Sequence, residues 1–197
     1  MNRILILFAH PAFERSRIHK SLIQSISQLE GITIHDLYED YPEFDIDIEK
    51  EKQFLLQHPV IVWQHPLFWY SGPALLKQWQ DLVLEHGWAY GKKGHALDGK
   101  KIFNAITSGG EMNAYRPEGL QHSSIKDFLL PFERTAQLCR MKYLPPFWIP
   151  GTHKLNPEQI RKFSNQYRNL LVLIRDSDPD DNGFSEVAFL NELVITE

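Results

Sequence analysis

The chain has 197 residues, 43% hydrophobic and 23% charged, the make-up of one ordinary globular domain large enough to bury a core. A formal charge of −4 with no basic stripe excludes a nucleic-acid binder, and the single cysteine, Cys139, excludes an internal disulfide and fits a reducing, cytoplasmic setting. No run approaches the roughly 20 apolar residues of a membrane span, and the N-terminal apolar run is too short for a signal peptide.

Ile4 to Ala9 is an unbroken run of six apolar residues, the length of a strand buried on both faces, and Pro11 ends it. Ser16 then stands where a helix N-cap belongs. The spacing of Ile18, Leu22, Ile23, Ile26 and Leu29 predicts a helix with Gly31 as its C′ residue. Ile32 to Leu37 reads as a short strand, Tyr38 to Asp45 as a loop and Ile46 to Gln57 as a helix. Val60 to Trp63 is a buried strand closed by His65-Pro66. After an aromatic loop from Leu67 to Gly72, Pro73 opens a helix at its N1 position, with Leu75, Leu76, Trp79, Leu82 and Val83 inward. A loop with four glycines spans Gly87 to Gly99, and Lys101 to Thr107 is the next buried strand. Ser108-Gly109-Gly110 begins a long loop to about Gln121. The helix that follows is interrupted or restarted at Pro131, with Phe132, Ala136 and Cys139 on one side. Met141 to Phe147 is a last strand, closed by Pro145-Pro146. Asn156-Pro157-Glu158-Gln159 is a capping-box start for a helix striped by Ile160, Phe163, Tyr167, Leu170, Leu171 and Ile174.

Strands alternating with helices predict an α/β fold: a doubly wound, five-stranded parallel sheet with helices on both faces, in flavodoxin-like order. Residues 1–175 form this domain. Residues 176–197 are a C-terminal extension of unknown role, an acidic turn followed by an apolar segment from Val187 to Ile195.

The first strand, its loop and the following helix N-terminus make a concavity with free backbone N–H groups, a seat for phosphate. No GxxxxGK[ST] is present, which excludes a Walker-type nucleotide site, and no GxGxxG follows the first strand. The loop offers Ser16 and His19, with His10 at the strand end and no glycine, and so suits a phosphate monoester better than a pyrophosphate. Ser16 acting only as a helix cap is the alternative. Two other strand ends carry Pro66-Leu67-Phe68-Trp69-Tyr70 and Ser108-Gly109-Gly110. Glycines let backbone amides approach the heteroatoms of a flat ring, and Trp69 would cover its face or edge. Phe68 and Trp69 as core beneath the loop are the alternative.

Taken together, Ala9-His10-Pro11, Ser16 with its helix start, Val62-Trp63-Gln64-His65-Pro66 through Trp69-Tyr70-Ser71, Pro73-Ala74-Leu75-Leu76-Lys77, Gly87-Trp88-Ala89-Tyr90-Gly91, Thr107-Ser108-Gly109-Gly110 and Leu144-Pro145-Pro146-Phe147 carry a resemblance. The sequence resembles the flavodoxin-like NAD(P)H:quinone oxidoreductases (DT-diaphorase-like enzymes) over roughly residues 1 to 175. Within them it looks most like the ancillary proteins of bacterial glutathione-regulated potassium-efflux systems.

That resemblance implies a flavin, FMN in preference to FAD, with its phosphate and ribityl chain at His10, Ser16, Arg17, Ile18 and His19. Its ring would meet Pro66, Leu67, Phe68, Trp69 and Tyr70 on one side and Thr107, Ser108, Gly109 and Gly110 on the other. Relatives commonly carry Asn in place of His19 and a second Thr in place of Ser108. Ser108 keeps the hydroxyl, whereas a charge on His19 would make flavin affinity depend on pH. The family's Tyr and His beyond the Gly-Gly turn, which serve the N1/O2 edge of the flavin, correspond to Tyr115 and, one position late, to His122. Plain loop packing is the alternative for both. The implied chemistry is ping-pong hydride transfer from NAD(P)H to a quinone or other small electrophilic acceptor, in a cytoplasmic homodimer whose ring site spans two subunits. The rival reading is a regulatory subunit, peripheral at the inner membrane face, that activates a potassium/proton antiporter. A one-electron flavodoxin-type carrier is disfavoured, having no need of Tyr115 or of dimer-forming aromatics.

His86 and His95 have no partner at metal-ligand spacing, so no metal site is expected. Cys139 reads as a small core residue. Asp178 to Gly183 matches the opening of an EF-hand loop, but Phe189 stands where its bidentate Glu belongs, and the segment reads as a solvated acidic turn.

Overall fold

The computed structural model describes residues 2–177 and 183–194. The acidic turn expected from Asp178 lies, as far as Asn182, outside the described residues. Strands β1 (Ile4–Phe8), β2 (Ile32–Asp36), β3 (Val60–Pro66) and β4 (Lys101–Thr107) pair in parallel in the order β2-β1-β3-β4. The fifth position beyond β4 is shared by two short strands, β5 (Lys142–Tyr143) and β6 (Phe147–Ile149), both parallel to β4. This is the flavodoxin-like order, with the crevice for ligands beyond the carboxyl ends of the strands.

Every residue of β1, β3 and β4 is buried, as a sheet covered on both faces requires. Ile4, Ile6, Phe8, Val62, Phe103 and Ala105 meet helices α1 (Arg17–Ile26) and α6 (Pro157–Asp176) on one side. Leu5, Leu7, Ile61, Trp63 and Ile106 meet α2 (Leu37–Asp40), α3 (Ile48–Gln57), α4 (Ala74–Val83) and α5 (Ile125–Leu138) on the other. In that second layer the fully buried Glu51 carboxylate accepts from His35 Nε2 at 2.7 Å, Tyr41 Oη at 2.6 Å and Trp79 Nε1 at 2.7 Å, which ties β2, α3 and α4 together.

Several sequence expectations are corrected. Helix α1 stops at Ile26, so Gly31, at φ +79°, serves the turn into β2 and not a helix cap. Asp36 caps the short α2 through its side chain, turning the start of the expected Tyr38–Asp45 loop into helix. Strand β3 runs on to Pro66 because it pairs with β4 as far as Thr107. Pro73 is the N-cap of α4, not its first residue, and Leu82 is exposed. Pro131 does not interrupt α5: it and Asp127, whose carbonyl loses a donor there, both face solvent. Pro145-Pro146 do not close the last strand but divide it, and β6 carries it on to Ile149. The capping box at Asn156 forms as expected, with reciprocal bonds to Gln159 of 2.9 Å.

Candidate functional site

A cleft of about 710 Å³ opens beyond the carboxyl ends of β1, β3 and β4. The ends of these three strands build most of it, and the loop after β6 adds Thr152 and His153. From β1 come His10 and, after a polar loop, Ser16, Arg17 and Ile18 at the start of α1. The Ser16 side chain caps α1 by accepting from His19 N at 3.1 Å, which leaves the N–H groups of Arg17 and Ile18 among those a helix start cannot bond internally. Ala12 N donates to His10 Nδ1 at 3.1 Å, so a neutral His10 keeps Nε2–H as its ring donor, and burial lowers its pKa.

Strand β3 contributes Pro66, Leu67 and Phe68. Phe68 and Ser71 bond each other reciprocally at 2.9 and 3.0 Å around Trp69 and Tyr70, whose φ angles are +48° and +64°. Tight hairpins of this kind usually place Asn and Gly at those positions, and two aromatic residues there carry backbone strain. The hairpin holds Trp69 93% exposed. Trp69 and Tyr70 therefore point away from the cleft of their own chain, and the alternative of Phe68 and Trp69 as core is excluded.

Strand β4 contributes Thr107 and Gly109. A Cβ on Gly110 would stand 2.9 Å from the Tyr115 ring, and one on Gly109 would stand 2.9 Å from His153 Nε2. Gly110 needs glycine because the Tyr115 ring is buried, whereas the exposed His153 tip beside Gly109 can move aside. Among the described residues, no hydrogen bond uses the N–H of Gly109 or Gly110. Ser108 faces inward, its Oγ accepting from Trp148 Nε1 at 2.9 Å and donating to Gly110 O at 3.0 Å. Its hydroxyl shapes the turn and is not offered to the cleft.

His19 does not reach the cleft, contrary to expectation. Its ring is buried beneath the cleft, with Nε2 at 3.1 Å from Thr107 Oγ1 and Nδ1 at 3.3 Å from Gln64 Nε2. Tyr167 Oη donates to Gln64 Oε1 at 2.9 Å, so Gln64 turns its N–H to His19 Nδ1, and His19 Nε2–H donates to Thr107. The Thr107 hydroxyl hydrogen is left free for the cleft. Burial, with smaller contributions from His10 and His65, holds the His19 pKa well below 6.5. The charge on His19 that a pH-dependent phosphate contact would need is therefore suppressed.

Tyr115 is buried, its ring edge-on to Trp148 at 5.5 Å and to Phe128 at 6.0 Å. It sits against Gly110 but faces a second, smaller hollow. His122 is exposed at φ +49°, with Nδ1 3.3 Å from Pro117 O, and does not line the cleft. Sequence reasoning missed Arg15, Thr152 and His153. Arg15 adjoins Ser16 and was available, but Thr152 and His153 follow β6, which the sequence reading ended too early. Arg17 Nη2 ties this last loop down through Leu155 O at 3.0 Å and Thr152 O at 3.4 Å. With Arg15 and Arg17 beside the start of α1, the His10 Nε2–H donor and no acidic residue among the described lining, the cleft favours an anion at one end. Its other end is apolar and glycine-turned.

Elsewhere, burial pushes the Cys139 thiol up to about 11, which makes it inert. Among the described residues no cluster of His, Cys, Asp and Glu comes together for a metal, and no helix is long and apolar enough to cross a membrane.

The sheet order and the cleft define a protein of the flavodoxin-like class. The family model described as "Flavodoxin-like fold" matches residues 2–171, and the chain belongs to that family, among its NAD(P)H oxidoreductases. It is 44% identical over 169 residues to the glutathione-regulated potassium-efflux system ancillary protein KefG of Yersinia enterocolitica, covering 86% of this chain and 92% of that one. The crystal structure of general stress protein 14 from Treponema denticola, in complex with FMN, is 38% identical with a TM-score of 0.84, covering 87% of this chain and 99% of that one. An NADPH-quinone reductase from P. pentosaceus is 30% identical with a TM-score of 0.79, covering 89% and 99%.

Proposed function

We propose that the chain is an NAD(P)H:quinone oxidoreductase that binds FMN in the main cleft. The observation that carries this is a single cavity whose cationic, helix-start end suits a phosphate monoester and whose other end presents free glycine amides beside an aromatic hairpin. The Treponema relative with FMN and the NADPH-quinone reductase from P. pentosaceus support it. One phosphate seat favours FMN over FAD.

When bound, FMN supplies two-electron hydride chemistry between NAD(P)H and a quinone. Ser16 and the N–H groups of Arg17 and Ile18 would hold the phosphate, with Arg15 and Arg17 offsetting its charge. His10 and the Thr107 hydroxyl would donate into the cleft, and Gly109 and Gly110 would present amides to the ring edge that gains negative charge. Tyr115 would serve that edge from behind Gly110, and His122 would do so once turned from the Pro117 carbonyl. Trp69 and Tyr70 would close the ring site of a second copy in a cytoplasmic homodimer.

The KefG relative favours a second role for the same protein, docking at the inner membrane face on a potassium/proton antiporter and activating it. Co-purification with an antiporter would establish that role, and its absence under conditions of full quinone turnover would remove it. The primary test is flavin content: protein purified with added FMN should be yellow and release a flavin of the mass of FMN. A colourless protein that takes up no flavin rejects the proposal.

A further inference from the structure

The family match ends at residue 171, yet residues 183–194 pack back onto the sheet edge beside the site. Among the described residues, strand β6 pairs with β4 on one side only. On its open side Asn191 takes the place of a neighbouring strand: its Oδ1 accepts from Trp148 N at 2.9 Å and its Nδ2 donates to Trp148 O at 3.2 Å. Gln166 Nε2 holds the Asn191 carbonyl at 2.8 Å, and Leu190 N donates to Pro146 O at 3.1 Å. Leu190 is fully buried, and the Phe189 ring lies 5.4 Å from that of Trp148.

Trp148 passes this anchoring inward. Its Nε1–H donates to Ser108 Oγ, Ser108 donates to Gly110 O, and Gly151 N donates to the same carbonyl at 2.9 Å. The Tyr115 ring stands edge-on to Trp148 and against Gly110. A glycine turn has little conformational preference of its own, so its shape comes from these bonds.

We infer that Trp148 is a positioning residue for the Gly109-Gly110 turn, held in place by Asn191 and Phe189 of the C-terminal segment. The segment acts as a brace on the flavin-ring end of the cleft. This inference rests on the proposed reading that the turn holds a flavin.

The test compares FMN with lumiflavin, which has the ring but no phosphate, at a temperature where circular dichroism shows every variant folded. Trp148→Phe and Asn191→Ala should each weaken both ligands by about tenfold, the worth of one hydrogen bond. They should also change the shape of the bound flavin's visible absorption band. Ser108→Ala breaks the link while leaving Trp148 and the tail in place, and should reproduce the loss. Ser16→Ala should weaken FMN alone. Wild-type protein that binds FMN, with all three brace variants within twofold of it for both ligands, overturns the inference and leaves the flavin reading standing. Wild-type protein that binds neither ligand overturns both.

Discussion

His19 Nε2 donates to Thr107 Oγ1 across 3.1 Å, joining the first turn of α1 to the end of β4 directly beneath the cleft. The bond links the end of the cleft proposed for phosphate to the end proposed for the ring and leaves Thr107 as a donor. Burial keeps His19 neutral, so it should contribute no pH dependence to FMN affinity between about pH 6 and 8. Isothermal titration across that range should give His19→Asn the same pH slope as wild type. A slope present in wild type and lost in the variant would show that His19 titrates against the phosphate.

The cost of keeping histidines neutral appears in stability. Burial holds the His19 pKa well below 6.5 and that of His65 at about 4. The unfolded chain therefore binds more protons than the folded one as pH falls below 6.5. Stability should fall with it, by up to about 1.4 kcal/mol per pH unit for each group, until pH drops through the folded-state value. Urea midpoints between pH 7 and 4 check this, and His65→Gln, if folded, should flatten the curve.

Ser16 can be a cap, a phosphate contact or both, and one pair of substitutions separates the roles. Ser16→Ala should cost about 1 kcal/mol through the lost cap and also weaken FMN. Ser16→Asp restores the cap but sets a carboxylate against the phosphate. It should recover the thermal midpoint while binding FMN more weakly than Ser16→Ala. Equal FMN affinities in the two variants would reduce Ser16 to a cap.

Gly109 and Gly110 should respond differently to a methyl group. Gly110→Ala pushes into the buried Tyr115 ring and should slow quinone turnover at least tenfold. Gly109→Ala meets only the exposed tip of His153, which can move, and should chiefly raise the FMN dissociation constant. Separate titration and turnover assays distinguish the two effects.

Trp69 is 93% exposed at φ +48°, so Trp69→Gly removes strain and no packing from a lone chain. Sedimentation should show a wild-type dimer and a weaker or absent dimer for the variant, whose monomer unfolds no earlier than wild type. A wild-type monomer at micromolar concentration would remove the second subunit from the site.

The fold was legible because buried parallel strands are continuous apolar runs and their helices carry apolar stripes. The broken last strand was not, since Pro145-Pro146 signal an end and only the partner β4 shows that pairing resumes at Phe147. A strand ended at Pro145-Pro146 leaves Thr152 and His153 far from the expected site. The residues around the cleft were largely legible through Ser16, Phe68 and Gly109, but side-chain direction was not. Ser108, His19 and Trp69 occupy expected positions in the chain, while two of them face the core and the third faces solvent. Sequence places a Cα at a strand end; the hydrogen-bond partner decides where the side chain goes.

Steady-state kinetics of the FMN-reconstituted protein with NAD(P)H and a soluble quinone decide whether the cleft works as a quinone reductase. Parallel lines in double-reciprocal plots, at rates far above those of free FMN, are the expected result of one cleft serving both substrates in turn. Turnover no faster than free FMN, from protein that has retained the cofactor, would rule out a quinone reductase.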